Sequence, residues 1–187
     1  MPGRLVYLMG PSGAGKDTVL QGVLRLMGNQ AFLAPRVITR DAHLAEAGAL
    51  AVTEHEFAQM EAAGLLAMAW RAHGLAYGVL RHVNDRLAAG QDVFVNGSRA
   101  YLPTAMARYR DLVPVLLNVS PHLLRERLLR RGRESAAQIQ SRLERNSTFH
   151  MFPESIAKSM LWIDNSGNPE EAVHALYRRL QQGQAEI

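Results

Sequence analysis

Cysteine is absent from the 187 residues, so disulfides and thiolate metal sites are excluded. No apolar run approaches the roughly 20 residues that a membrane-spanning helix needs. The opening Met-Pro-Gly-Arg and the short apolar strand after it lack the layout of a signal peptide. These absences predict a cytoplasmic protein with no membrane partner. Low-complexity tracts and internal repeats are missing as well. The seven histidines show no paired ligand spacing. What remains is ordinary globular composition, 48% apolar and 20% charged. The length suits one α/β domain over residues 1–187 rather than two. Monomer and homodimer are equally compatible with it.

The formal net charge of +4 selects no class of partner, because nucleic acid, anionic lipid and phosphorylated metabolites all suit a basic protein. Its distribution is more telling. Arg125, Arg127, Arg130, Arg131, Arg133, Arg142 and Arg145 fall within one short stretch.

Arg4-Leu-Val-Tyr-Leu-Met9 is an apolar run that breaks into glycines, as a buried strand does. Residues 16–27 follow with helical spacing of Val19, Leu20, Val23, Leu24 and Met27, and Gly28 stops them. Further strands are predicted at 36–39, 92–96, 113–119 and 161–163. Helix starts between them are marked by Thr53 with Glu56, by Ser120-Pro121, by Ser135 with Gln138, and by Asn168-Pro169. Gly64, Gly132 and a point near Gly183 mark the ends. Strands alternating with helices predict a parallel sheet covered on both faces.

Gly10-Pro11-Ser12-Gly13-Ala14-Gly15-Lys16-Asp17-Thr18 lies between the first strand and the first helix, the context a phosphate-binding Walker A loop requires. Its glycines let backbone N–H groups turn inward around phosphate oxygens, and the helix N-terminus adds partial positive charge. Lys16 is placed to reach the β- and γ-phosphates of a nucleotide. The Ser or Thr that usually follows this lysine and binds Mg²⁺ is replaced by Asp17. Thr18 does not substitute, since one helical residue turns a side chain by about 100°. A carboxylate is a hard oxygen ligand, which makes Asp17 the candidate Mg²⁺ ligand. The plainer alternative is an acidic residue that favours the first helical turn.

Arginine pairs bidentately with phosphate and never loses its charge. Arg131 and Arg142 are therefore the candidates to close a lid, at about 127–148, over nucleotide phosphates. Arg125, Arg127 and Arg130 are better explained as solvated groups favouring a helix C-terminus. No aromatic residues interleave with these arginines, so a nucleic-acid groove is disfavoured.

Gly10–Lys16, Ile38-Thr39-Arg40, the helix start at Thr53–Phe57, Tyr77-Gly78 and the Arg-Leu-x-x-Arg run at 127–131 resemble the guanylate kinase family, in order and at similar spacing. The resemblance spans most of the chain. It implies a P-loop NTPase, guanylate-kinase-like three-layer α/β fold with a parallel five-stranded core sheet. It also implies a lid and a mobile acceptor-binding subdomain at about 36–92. In that family the positions of Arg40 and Tyr77 hold the acceptor's phosphate. The family's guanine readers fall at Met68 and Val79 here, which offer a guanine edge no hydrogen bond. A second arginine near Arg40 and a phosphate-binding tyrosine near Gly48 are also missing.

Gly15-Lys-Asp17, His73-Gly-Leu-x-Tyr77-Gly78, Val95-Asn-Gly-Ser-Arg99 and Asp164-Asn-Ser-Gly167 are instead similar to the ribose 1,5-bisphosphate phosphokinase branch, which serves bacterial phosphonate utilisation. That resemblance implies ATP and Mg²⁺ as cofactors and a phosphorylated sugar as acceptor. The nucleophile would be a phosphate oxygen, already ionised, so no general base is required. Asn96 and Arg99 end a core strand, where α/β proteins place ligand contacts. Arg99 is the candidate for the acceptor's second phosphate, and Asn96 for a ribose hydroxyl or metal-bound water. Asn165 resembles the family's adenine-side contact. The competing expectations are a nucleoside monophosphate kinase acting on GMP and a non-catalytic interaction module. Retention of Lys16, Arg131 and Arg142 weighs against the module.

Overall fold

A computed structural model describes residues 1–41, 48–132, 135–147 and 151–185. The chain opens with β1 (Leu5–Met9), every residue of which is buried, and α1 (Lys16–Met27). After a 3-10 turn come β2 (Ala31–Leu33), β3 (Arg36–Ile38), β4 (Leu50–Ala51), α2 (Glu54–Ala62), β5 (Leu66–Ala72) and β6 (Leu75–Leu80). The chain continues through α3 (Val83–Ala88), β7 (Asp92–Asn96), α4 (Leu102–Arg108), β8 (Val113–Asn118) and α5 (Pro121–Arg131). It ends with α6 (Ala136–Ser147), α7 (Glu154–Ala157), β9 (Leu161–Asp164) and α8 (Pro169–Ala185).

Five parallel strands run in the order β2-β7-β1-β8-β9. A separate four-stranded sheet has the order β4-β3-β6-β5. The chain divides into two compact units, Met1–Tyr7 with Asn29–Leu112 and Leu8–Gly28 with Val113–Ile187.

The first unit holds the four-stranded sheet. Its core is Val37, Phe57, Leu66 and Ala76, with Val52, Met60, Ala69 and Leu80 packed around them. Burying Phe57 alone is worth about 2–3 kcal/mol. That burial depends on the orientation of α2, which the Thr53–Glu56 box sets. Glu56 N–H donates to Thr53 Oγ1 at 3.2 Å, and Thr53 N–H donates back to Glu56 Oε2 at 2.7 Å. The β5–β6 hairpin was not anticipated from the sequence. Its two-residue turn, His73-Gly74, has φ of 53° and 74°, the double positive φ of a type I′ turn.

In the second unit, α1 turns Val19, Leu20, Val23 and Met27 into the interior. Leu24, placed on the same side by its spacing, is only half-buried. Ala172, Val173, Leu176 and Leu180 of α8 are buried as well. Close packing of α1 on α8 requires Gly22, where a Cβ would stand 2.4 Å from Val173. Ser135 and Gln138 form the anticipated box, with Ser135 N–H donating to Gln138 Oε1 at 2.8 Å and Gln138 N–H to Ser135 Oγ at 3.3 Å. Asn168 Oδ1 accepts the Glu170 N–H at 3.0 Å and so opens α8.

Two expectations need correction. Ser120 precedes α5, but its side chain makes no capping bond, and its N–H donates to Ser166 Oγ at 2.9 Å. Helix α8 passes through Gly183 to Ala185 rather than stopping near the glycine. Arg133, predicted in the loop after Gly132, lies outside the described residues, as do 42–47 of the acceptor segment and the end of the lid segment at 148.

Candidate active site

The glycine loop leaves β1 and meets α1 at Gly15, which has φ 87° and serves as N-cap. Only glycine adopts that conformation without strain. Space demands glycine too, because a Cβ there would stand 2.6 Å from Asn165 Nδ2. Lys16 folds back over the loop, its ammonium donating to the carbonyls of Gly10 at 2.7 Å and Pro11 at 3.1 Å. Asp17 and Thr18 are exposed in the first helical turn. Among the described residues no three His, Asp or Glu side chains group as a metal site would need.

Arg142 of α6 donates from Nη1 to Ser12 Oγ at 3.1 Å, which puts a guanidinium on the rim of the glycine loop. Arg131 ends α5 in an exposed position. With Arg127, Arg130, Gly13, Thr18 and Asn165 it lines a cavity of about 370 Å³.

Arg127 overturns its assignment as a solvated group. Its Nη2 donates to the Asn165 carbonyl at 2.9 Å and its Nη1 to the Ala14 carbonyl at 3.4 Å. Asn165 is not a surface loop residue either; it is 1% exposed. Its Nδ2 donates to the same Ala14 carbonyl at 2.7 Å, and its N–H donates to Asn118 at 2.8 Å. Arg127 and Asn165 thus brace the glycine loop at one carbonyl. Asn165 Oδ1 is left buried without a donor, which is costly unless a ligand supplies one.

The acceptor candidates lie in the first unit. Arg40 follows β3 and is exposed, bordering a cavity of about 320 Å³ with Thr39, Asp41, Ala51, Val52 and Thr53. Thr39 is buried, and its Oγ1 accepts the Ala76 N–H at 2.8 Å. Tyr77, half-buried on β6, stacks on its cross-strand partner Trp70 with centroids 5.7 Å apart. Trp70 stacks in turn on Tyr101 at 5.5 Å, and the Arg36 guanidinium stands 5.6 Å from the Tyr77 centroid. Asn96, Gly97, Ser98 and Arg99 leave the end of β7, all partly exposed. Trp70 therefore joins Tyr77 to the segment that carries Asn96 and Arg99. Met68 and Val79 are cross-strand partners and both are fully buried. They are core positions rather than open pocket walls, and a guanine edge has no access to them.

Sequence comparison decides the family. The chain is 48% identical over 179 residues to a ribose 1,5-bisphosphate phosphokinase PhnN from Pseudomonas paraeruginosa, covering 94% of each chain. It is 42% identical over 182 residues to that of Azotobacter vinelandii, covering 97% of each. The chain belongs to the ribose 1,5-bisphosphate phosphokinase family. A third member, from Pseudomonas fluorescens, is 44% identical over 187 residues, covering 98% of this chain and 97% of that one. No family model matches. Among solved structures, a guanylate kinase from Anaplasma phagocytophilum aligns with TM-score 0.70 at 20% identity, covering 98% of this chain and 87% of that one. A gluconokinase from Sinorhizobium meliloti aligns at TM-score 0.53 and 18% identity, covering 99% and 97%. These likenesses show the fold, a guanylate-kinase-like α/β fold with the glycine loop after the first strand.

For this member of the ribose 1,5-bisphosphate phosphokinase family, sequence reasoning missed three supporting residues. Arg127 was hidden because basic residues at a helix C-terminus are common for electrostatic reasons alone. Trp70 was not singled out, and Tyr7 was read only as part of a buried strand. A two-residue turn at His73-Gly74 with aromatics on both flanks was the available signal for the hairpin that carries Trp70. Among the described residues no helix is long and apolar enough to cross a membrane.

Proposed function

We propose that the chain transfers the γ-phosphoryl group of ATP to the 1-phosphate of ribose 1,5-bisphosphate, giving ADP and 5-phosphoribosyl 1-diphosphate for phosphonate catabolism. The observation that carries this reading is the 48% identity, over 94% of both chains, to a relative named for that substrate. In the reaction a phosphate oxygen of the acceptor forms a bond to the γ-phosphorus while the bond to the β,γ-bridging oxygen breaks. The attacking oxygen is ionised at neutral pH, so positioning and charge neutralisation supply the catalysis.

The amides of Gly10–Thr18 and the α1 N-terminus hold the β- and γ-phosphates. Lys16 and Arg142, both already at the loop, neutralise charge on the phosphates, with Arg131 beside them. Asn165, which lines the cavity beside Gly15 and Thr18, is assigned to the adenine side of the nucleotide. Asp17 would hold Mg²⁺, which supplies charge compensation at the phosphates when bound. Arg40 and Tyr77 take the acceptor's 1-phosphate, Arg99 its 5-phosphate, and Asn96 a ribose hydroxyl. The core, the acceptor segment at about 36–92 and the lid at about 127–148 act as one kinase domain.

A coupled assay of ADP release tests this with ribose 1,5-bisphosphate, with GMP and with no acceptor. Release is expected with ribose 1,5-bisphosphate and not with GMP, because the positions that match the family's guanine readers, Met68 and Val79, are apolar and buried in the core. Release stimulated by GMP alone would overturn the substrate.

A further inference from the structure

A phenol in the middle of a fully buried strand needs an explanation. Tyr7 is 0% exposed within Leu5–Met9, and a phenylalanine there would fill the same space without a polar atom to satisfy. A buried hydroxyl costs about 1–3 kcal/mol unless it is paired. Tyr7 is paired twice, both times to one residue of the loop that follows β7. Its hydroxyl donates to the Ser98 carbonyl at 3.0 Å and accepts the Ser98 N–H at 2.9 Å. The preceding residue lies flat on the ring, since a Cβ on Gly97 would stand 2.0 Å from a Tyr7 ring carbon. Downstream, Tyr101 N–H donates to the same Ser98 carbonyl at 3.2 Å, and Leu102 N–H donates to Arg99 at 3.3 Å as α4 begins. Burial pushes the phenol's pKa well above its ordinary value, so it remains a donor at any working pH.

The clamped pair, Gly97 and Ser98, sits between Asn96 and Arg99, the two side chains assigned to the sugar and its 5-phosphate. A loop at a strand end ordinarily samples several backbone conformations. Here one hydroxyl bonds both backbone groups of the central residue, which restrains the backbone on either side of it. Preorganisation of this kind improves affinity by cutting the entropy lost on binding.

We infer that Tyr7 is a positioning residue for the acceptor: its hydroxyl fixes the Ser98 peptide so that Asn96 and Arg99 are presented together to the sugar phosphate. The inference rests on the acceptor roles proposed above for those two residues. It separates Tyr7 from an ordinary core residue, whose loss would lower stability without singling out one substrate.

The test is Tyr7→Phe, which keeps the ring under Gly97 and removes only the hydroxyl. Steady-state ADP release is measured on folded enzyme while ATP and acceptor are varied in turn. Amide hydrogen exchange is followed at Ser98. The expected result is a KM for ribose 1,5-bisphosphate raised about tenfold, the equivalent of one lost hydrogen bond of ordinary strength. The KM for ATP is expected unchanged, and the Ser98 amide is expected to exchange faster. An unchanged acceptor KM overturns the inference. So does a parallel rise in both KM values, which marks a general loss of structure. A wild-type enzyme silent with ribose 1,5-bisphosphate and active with GMP overturns the substrate reading instead, and the same Tyr7→Phe comparison with GMP then decides the role of the hydroxyl. Wild type inactive with both acceptors overturns both.

Discussion

Arg127 and Asn165 meet at a single atom, the Ala14 carbonyl, and through it they hold the glycine loop to the segment that follows β9. Hydrogen bonds from a charged donor contribute about 1.5–3 kcal/mol, so loss of this brace is large enough to register in nucleotide affinity. Arg127→Ala is expected to raise the KM for ATP about tenfold or more and to leave the acceptor's KM alone. An unchanged ATP KM would restore the view of Arg127 as a solvated helix-end residue. Met68 presents the opposite case. The resemblance to guanylate kinases placed it where a guanine reader would stand, but a matched position carries no information on depth, and the side chain is fully buried against Val79. Met68→Glu puts an unpaired carboxylate into that core and is expected to destabilise the protein by about 3 kcal/mol or more, measured by urea unfolding. Wild-type stability in that variant would show that the position opens to solvent and has been misassigned to the core.

Elements with local chemical signatures were legible before any coordinates. The Thr53–Glu56 and Ser135–Gln138 boxes, the Gly28 and Gly132 stops, and the strand before the glycine loop all arise from residues within a turn of one another. Strands β2, β4, β5 and β6 were not legible, because short or hairpin strands depend on partners elsewhere in the chain. The bracing by Arg127 and the Tyr7 hook were hidden for the same reason: their partners lie 38 and 91 residues away. The capping box of α2 carries a pH signature. Hydrogen bonds from the Thr53 N–H and hydroxyl hold Glu56 below its ordinary value of 4.5. A depressed folded-state pKa contributes stability that is complete above the unfolded value and is lost as pH falls through the folded one. The stability difference between wild type and Glu56→Ala is therefore expected to be constant near neutrality and to shrink below pH 4.5. Thermal unfolding across that range checks it, and a difference that grows on acidification would contradict the assigned hydrogen bonds.

Each compact unit carries one half of the machinery assigned to the reaction. The glycine loop, Lys16, Arg127, Arg131, Arg142 and Asn165 belong to one, while Arg40, Tyr77, Asn96 and Arg99 belong to the other. Apart from Arg127, the first half could be proposed from the sequence alone, because phosphate is recognised by backbone and charge, which leave a compact motif. The second was legible only by resemblance, because a sugar phosphate is recognised by a few side chains brought together by the sheet. Substrate identity is thus the central claim, and the fate of the acceptor's phosphorus tests it most directly. Phosphorus NMR of the enzyme with ATP, Mg²⁺ and ribose 1,5-bisphosphate is expected to show the sugar's 1-phosphate signal replaced by a coupled diphosphate pair as ADP accumulates. Orthophosphate appearing with ADP while the 1-phosphate signal persists would contradict the account.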